Sequence, residues 1–189
     1  INNWLPDMLT VPTAVRAESS IRWFMDIIIN HTGASLSVIW CLLCIMLWRL
    51  HKKVLAIMLG GFASVFLLAK TIMLDVELMM LLRKVHFGGI VNFHASWRYV
   101  GGFTQWIPVL FWSCALVMTV AAIATAFDVK SRQKAAIGIM GCLLAAVATA
   151  MLWASPTMYA SGYRVVYVAS LLLMLVVLLL IGRLAELKP

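Results

Sequence analysis

The residues best suited to chemistry are concentrated in and around one stretch of the chain, residues 75–106. Asp75 and Glu77 open this stretch directly after an apolar run, and they are the candidate catalytic residues, although no paired acid motif accompanies them. The candidate substrate-binding residues are cationic or aromatic: Lys70, His86, His94, Trp97, Arg98, Tyr159 and Arg164.

Cations and aromatic rings in this combination suit an anionic, amphipathic ligand. An arginine such as Arg98 or Arg164 can hold two phosphate oxygens at once, and Trp and Tyr rings can stack on sugar rings or acyl chains. The pattern therefore predicts a site for a lipid-linked phosphate or pyrophosphate. An ordinary interfacial belt of aromatics and cations would give the same pattern, so both interpretations stay open at this point.

Lys70 is a basic residue inside an apolar run, and charges inside the membrane are functional candidates by default. If the helix that carries Lys70 continues beyond the lipid, then Lys70, Glu77 and Lys84 are seven residues apart on one stripe of alternating charge. The alternative is that Lys70 extends to the nearby interface, with its stem along apolar surface.

Redox and metal chemistry have weaker support. Cys41 and Cys44 have the C-x-x-C spacing of membrane thiol oxidoreductases, but their apolar setting disfavours the thiolate that such chemistry needs. We therefore expect both thiols to be packing atoms. His31 and His51 fall at opposite ends of one apolar run, which gives no facing pair for haem, and the histidines of 75–106 match no strong metal motif. We predict no cofactor and no metal.

The elements that must position these residues are membrane helices. Of the 189 residues, 64% are apolar and 12% charged, with a mean hydropathy of +1.01; soluble domains average about 45–50% and 25%. A spanning helix needs about 20 apolar residues. We predict an all-α integral membrane protein with about five transmembrane helices, at Gly33–Leu50, Val54–Leu74, Ile107–Phe127, Ala135–Trp153 and Val165–Gly182.

The distribution of Lys and Arg predicts the orientation. Eight basic residues lie in segments 49–53, 128–134 and 183–189, and six lie in the much longer segments on the other side. The dense side is predicted to be cytoplasmic, so the N-terminus is outside, the C-terminus is cytoplasmic and 75–106 is one long structured outer loop. The net charge of +8 is scattered between apolar runs, so no nucleic-acid partner is predicted.

A short amphipathic helix is predicted before the first span, at Ser20–Asn30. Three polar residues are spaced four apart along one face: Arg22, Asp26 and Asn30. This spacing predicts a helix lying in the membrane interface, with Ser19 or Ser20 as N-cap and an Arg22–Asp26 pair on its exposed face. Whether the helix handles lipid or only packs over the bundle stays open.

The chain is predicted to have two parts, an outer segment at 1–32 and a transmembrane bundle at 33–189. The outer segment must be carried across the membrane, yet no signal-like region precedes Gly33. We therefore expect the chain to be the C-terminal part of a longer protein, with a cleaved signal peptide as the alternative.

The C-terminal region resembles a known family. Residues 155–164, Ser-Pro-Thr-Met-Tyr-Ala-Ser-Gly-Tyr-Arg, are followed by an apolar helix ending Ile181-Gly182-Arg183. This run of about 30 residues is similar to the last outer loop and final span of bacterial multi-span, glycosyltransferase-like envelope proteins, such as the glucosyltransferases that decorate O-antigen. The resemblance implies a polyprenyl-phosphate sugar as donor, and a catalytic carboxylate in an early outer loop upstream of this sequence.

The predicted function is binding or transfer of a lipid-linked sugar at the outer face of a bacterial inner membrane. The predicted partners are membrane lipid, a polyprenyl-phosphate-linked sugar, other membrane subunits and the missing N-terminal part of the same protein. Two alternatives remain. The chain could be a non-catalytic membrane subunit of a larger complex, or a thiol–quinone oxidoreductase that acts through Cys41 and Cys44.

Overall fold

The computed structural model describes residues 12–74, 106–127, 131–150 and 158–187, and every secondary-structure element in them is a helix. The α-helices are α1 (Thr13–Asp26), α2 (Gly33–Arg49), α3 (Lys53–Leu74), α4 (Trp106–Ala126), α5 (Arg132–Ala150) and α6 (Met158–Glu186). A π-helix, Ile27–His31, follows α1 directly. The prediction of an all-α protein is confirmed for these residues.

Helices α2 and α3 form an antiparallel hairpin with a link of three residues, 50–52. The amides of Leu50 and Lys52 donate to the carbonyls of Met46 and Leu47, both at 2.9 Å, so the last turn of α2 does not leave these acceptors unpaired. His51 takes the left-handed conformation that so short a link requires, with φ of 58°.

The core between α2, α3 and α4 is built on three aromatic side chains. The rings of Trp40 and Trp112 stack with centroids 6.0 Å apart, and Phe66 meets both edge-on. The Trp40 indole donates to Thr119 Oγ1 at 2.8 Å, and this hydroxyl donates to the carbonyl of Ala115. The polar atom of the buried indole is thus satisfied, and this hydrogen bond joins α2 to α4 while Phe66 packs α3 against both.

The outer wall of the bundle is apolar. Three helices are long and apolar enough to cross a bilayer, within Lys53–Lys70, Trp106–Ala126 and Val166–Glu186. The pair Phe24–His31 and Gly33–Arg49, bent by 67°, makes a fourth if it is one broken span. These helices indicate a multi-pass membrane protein. Helix α5, which corresponds to the predicted span Ala135–Trp153, is not among them when the described residues are tested.

The predicted amphipathic helix exists, but its start, its ion pair and its orientation were predicted wrongly. It begins at Thr13, so Ser19 and Ser20 lie inside it and cannot be its N-cap. Arg22 pairs with Glu18 and not with Asp26, and its side chain is 1% exposed. The polar face is not the exposed one: Arg22 is buried and Asp26 and Asn30 are half-buried, with Asn30 in contact with Lys70 of α3, while Ile21 is 42% exposed.

Candidate functional site

Lys70 lies near the end of α3 and contacts the π-helix through its ammonium group. Lys70 Nζ donates to Asn30 Oδ1 at 2.5 Å and lies 5.7 Å from the centroid of the Phe66 ring. Asn30 Nδ2 in turn donates to Asp26 Oδ1, and His31 Nε2 lies 3.9 Å from Asp26 Oδ2. These four polar side chains, Lys70, Asn30, Asp26 and His31, are called the Lys70 cluster below.

The charge of Lys70 is only partly compensated inside this cluster. Among the described residues its ammonium contacts a neutral amide and an aromatic ring, and the carboxylate of Asp26 lies one hydrogen bond further away. An ammonium group has three donors, and Asn30 takes one of them. The side chain is half-buried. The arrangement can therefore accept an anion at the exposed side of the ammonium.

The π-helix places Asn30 against Lys70, and Asp26 lies directly before it at the end of α1. Short π-helical turns are rare and are frequently found at functional sites. This turn closes with the Thr32 amide donating to the Ile27 carbonyl at 3.1 Å, while Thr32 Oγ1 donates to the Ile28 carbonyl at 2.7 Å. Thr32 thus supplies hydrogen-bond donors to two backbone carbonyls at the 67° bend that precedes α2.

Gly33 permits the close approach of α2 and α3 beside the cluster. A Cβ atom at position 33 would lie 2.3 Å from Cζ of Phe66, a ring that is itself packed against Trp40 and Trp112. Only glycine leaves room for that ring. Phe66 in turn lies one turn before Lys70 and under its ammonium. The position of Lys70 therefore depends on a glycine at the start of α2.

A second cation, Arg22, lies at the same end of the bundle. Its guanidinium forms an ion pair with Glu18 and stacks over Trp106, the first residue of α4, at 5.6 Å from the ring centroid. Helix α3 ends and α4 begins at this end, which is called the Lys70 end below. Two cations, one buried and one half-buried, thus belong to the same end.

The opposite end is also cationic, but its cations are used differently. Arg183, near the end of α6, donates from Nε to the Ala126 carbonyl at 3.3 Å and pairs with Glu186 at 3.2 Å. Lys134 pairs with the same Glu186, and Arg49 donates to the carbonyl of Leu187. At this end, called the Arg183 end below, arginines bind backbone carbonyls at or beside the ends of helices.

Most of the predicted site residues lie outside the described part of the chain. These are Asp75, Glu77, His86, His94, Trp97 and Arg98, with the rest of 75–105. Tyr159 and Arg164 belong to the first turns of α6, at the Lys70 end, but their side chains are not described. Lys70 is thus the predicted site residue whose contacts are known, and its partner Asn30 was not predicted to belong to the site.

Cys41 and Cys44 are free thiols one turn apart on α2, and they differ in exposure. Cys41 is exposed on the outer surface, which corrects the expectation that both thiols are buried packing atoms. Cys44 is half-buried and contacts the Ala56 carbonyl through Sγ at 3.4 Å, so it does pack against α3. The described residues place no cation in contact with either thiol.

Sequence patterns contained a signal for the residues that were missed. Arg22, Asp26 and Asn30 were predicted to share one helical face, but that face was assigned to the exposed side. An inward-facing polar stripe needs a polar partner in the bundle, and Lys70 stands out in the sequence as a charge within an apolar run. Pairing the two observations would have found the Lys70 cluster.

Among the described residues, no group of three His, Cys, Asp or Glu side chains is placed to hold a metal ion.

Comparisons with other proteins add no functional assignment. Searches against protein-family models, curated proteins and solved structures gave no match for this chain. The function must therefore be argued from the Lys70 cluster and the helices around it.

Proposed function

We propose that the Lys70 end binds the anionic headgroup of a polyprenyl-phosphate-linked sugar, at the outer face of a bacterial inner membrane. The observation that carries the proposal is the ammonium of Lys70, held by Asn30 over Phe66 with two donors not used by Asn30. A phosphate oxygen would supply the direct anionic partner that Lys70 does not have among the described residues.

The arrangement of the chain supports this location. The segment 75–105 begins where α3 ends and finishes where α4 begins, so both of its connections are at the Lys70 end. The first turns of α6, which contain Arg164, are at this end too. The segment that contains Asp75 and Glu77 is thus connected at both of its ends to helices at the Lys70 end.

The orientation and the number of spans are part of the proposal. The basic links between α2 and α3 and between α4 and α5 are at the Arg183 end, which makes this end cytoplasmic and the Lys70 end external. Five spans, one of them α5, are consistent with these alternating links. A cysteine at the exposed Thr13 should react with a membrane-impermeant maleimide added to intact cells, and one at the exposed His51 should not. The reverse labelling would reject the orientation.

Binding of a polyprenyl phosphate to the purified protein in nanodiscs tests the site. Lys70→Gln should weaken binding about tenfold, because a hydrogen bond to a charged group contributes roughly 1.5–3 kcal/mol and 1.4 kcal/mol corresponds to one decade. Arg164→Ala should weaken it by about ten- to a hundredfold for the same reason. Arg164→Lys should recover part of that loss, since lysine lacks the forked geometry.

Lys53 provides the matched control. It lies on the same helix as Lys70, and its ammonium is 5.6 Å from the centroid of the Trp48 ring, but it belongs to the Arg183 end. Lys53→Gln should leave binding unchanged, with folding checked by thermal unfolding. If Lys70→Gln binds like the wild type, or if Lys53→Gln weakens binding equally, the phosphate site is not at Lys70.

Transfer, as distinct from binding, would need a carboxylate. Asp75→Asn and Glu77→Gln should reduce sugar transfer by the full protein while leaving donor affinity unchanged, if either residue acts as acid or base. Unchanged transfer in both variants would leave this chain a binding role without acid or base catalysis by Asp75 or Glu77. Loss of activity in a Cys41→Ser, Cys44→Ser double variant would instead support the thiol–quinone alternative.

A further inference from the structure

An apolar cavity lies beneath α1 and the π-helix, away from the Lys70 cluster. It has a volume of about 210 Å³ and receives side chains from several helical elements. Phe24 and Ile28 cover it from α1 and the π-helix, and the remaining walls come from α2, α4, α5 and α6. Asp26 and Asn30, two residues further on in each case, project toward Lys70 instead.

The described lining suits an apolar ligand. Among the described lining residues only Thr119 has a side-chain hydroxyl, and that hydroxyl is already used, because it donates to the Ala115 carbonyl and accepts from the Trp40 indole. A buried water needs two to four polar partners. Even an apolar cavity of about 150 Å³ stays dry and can bind a molecule such as benzene. The cavity is therefore suited to hydrocarbon.

The cavity opens toward the lipid. Val117 of α4 and Leu143 of α5 form part of its rim and are 68% and 49% exposed on the outer wall of the bundle. In a membrane, acyl chains surround that wall. An acyl chain of the bilayer can therefore enter the cavity between these two residues. Ile28, at the inner side of the cavity, is 4% exposed and is shielded from the surrounding lipid.

We propose that this cavity is a binding site for one acyl chain of a bilayer phospholipid, which enters between α4 and α5 and ends beneath Phe24 and Ile28. The chain completes the packing between α1 and the bundle. It thereby supports, from the apolar side, the helix whose polar side carries Asp26 and Asn30. The site is independent of the headgroup site proposed at Lys70, since different side chains of the same helical segment form the two.

Photolabelling tests this site directly. The purified protein is reconstituted in phosphatidylcholine nanodiscs that contain a phosphatidylcholine with a diazirine on one acyl chain, and labelled residues are mapped by mass spectrometry. We expect labelling of the shielded Ile28 as well as of the lipid-exposed Leu110. Labelling of Leu110 without Ile28 would show that acyl chains remain outside, and the proposal would be wrong.

Two variants and a second probe make the test specific. Ala146→Phe places a ring in the cavity and should abolish labelling of Ile28, whereas Ala121→Phe, on the exposed face of α4, should retain it. Persistent labelling of Ile28 in Ala146→Phe would mean that the probe arrives by another route. A photoactivatable polyprenyl phosphate that labels Ile28 where the phosphatidylcholine probe does not would overturn the acyl-chain assignment in favour of an isoprenyl chain.

Discussion

Helix α4 has an arginine from another helix at each of its ends, and the two arginines have opposite relationships to the helix. At its C-terminal end the buried Arg183 donates to the carbonyl of Ala126, the last residue of α4, and stacks over Phe127 at 5.8 Å. At its N-terminal end Arg22 stacks over Trp106 at 5.6 Å and pairs with Glu18. The distance from the guanidinium to the ring centroid is similar at the two ends, but the charges around the two arginines differ.

The helix dipole explains the difference. The C-terminus of a helix carries partial negative charge and the N-terminus partial positive charge. Arg183 therefore stabilises α4 by its position alone, and Glu186 is a further partner. Arg22 lies at the N-terminal end of α4, where the helix dipole disfavours a cation. Its charge is balanced instead by the carboxylate of Glu18, which comes from the same helix as Arg22.

The cations at the two ends of the bundle differ in whether they cap helix C-termini. At the Arg183 end, Arg49 and Arg183 bind backbone carbonyls near helix ends, which is a structural role. At the Lys70 end, Lys70 binds a side-chain amide and contacts no backbone carbonyl among the described residues. A cation that the fold does not need for capping is the better candidate for binding an anion, which is why the functional proposal is placed at the Lys70 end.

The largest effect is expected at the ion pair between the buried Arg22 and the partly exposed Glu18. Breaking a buried ion pair from one side costs roughly 3–5 kcal/mol. Because Glu18 is 22% exposed and can reach solvent, Arg22→Met should lower the free energy of unfolding by about 3 kcal/mol, the low end of that range. Glu18→Gln combined with Arg22→Met should restore part of the loss. Unfolding in mixed detergent micelles measures both.

Arg183→Met is the matched variant at the other end. It removes a charged hydrogen bond to Ala126, which contributes roughly 1.5–3 kcal/mol, but its partner Glu186 is exposed and remains solvated. Its cost should therefore be smaller than that of Arg22→Met. An equal or larger cost would contradict the distinction drawn between the two ends.

A medium effect is expected from glycines at the two ends. Gly33→Ala would force a Cβ against the Phe66 ring, and overpacking of this kind typically costs about 1–3 kcal/mol. A Cβ atom added at Gly182 would meet no heavy atom of the described residues within 4 Å, so Gly182→Ala should be neutral or stabilise the helix by up to about 1 kcal/mol. The midpoint of thermal unfolding should fall for Gly33→Ala and should not fall for Gly182→Ala. A Gly33→Ala protein that melts like the wild type would mean that Phe66 has room to move.

The smallest effect is expected at the exposed pair of Lys134 and Glu186. Exposed ion pairs contribute about 0.2–1 kcal/mol and are screened by salt. Lys134→Gln should therefore lower the free energy of unfolding only slightly at low salt, and by less at high salt. A loss well above 1 kcal/mol, or one that salt leaves unchanged, would show that the Arg183 end is more tightly coupled than its exposure indicates.

The helices themselves could be predicted from the sequence. Gly33–Leu50 and Ile107–Phe127 were predicted, and the structure has α2 at Gly33–Arg49 and α4 at Trp106–Ala126. The length and hydropathy of an apolar run are local properties, and in lipid such a run must satisfy its backbone internally as a helix. Lys70 could be singled out for the same reason, since a charge within an apolar run is visible without any knowledge of its neighbours.

The partners of these residues could only be decided by the tertiary structure. Periodicity places Arg22, Asp26 and Asn30 on one face of a helix, but the same period fits a face toward water and a face toward a polar group inside the bundle. Asn30 and Lys70 are 40 residues apart in the chain, and the bend of 67° after the π-helix brings them into contact. Whether a polar face turns inward depends on whether a polar partner on another helix is buried together with it. The free energy of that pairing is a property of the packed bundle and not of the helix alone.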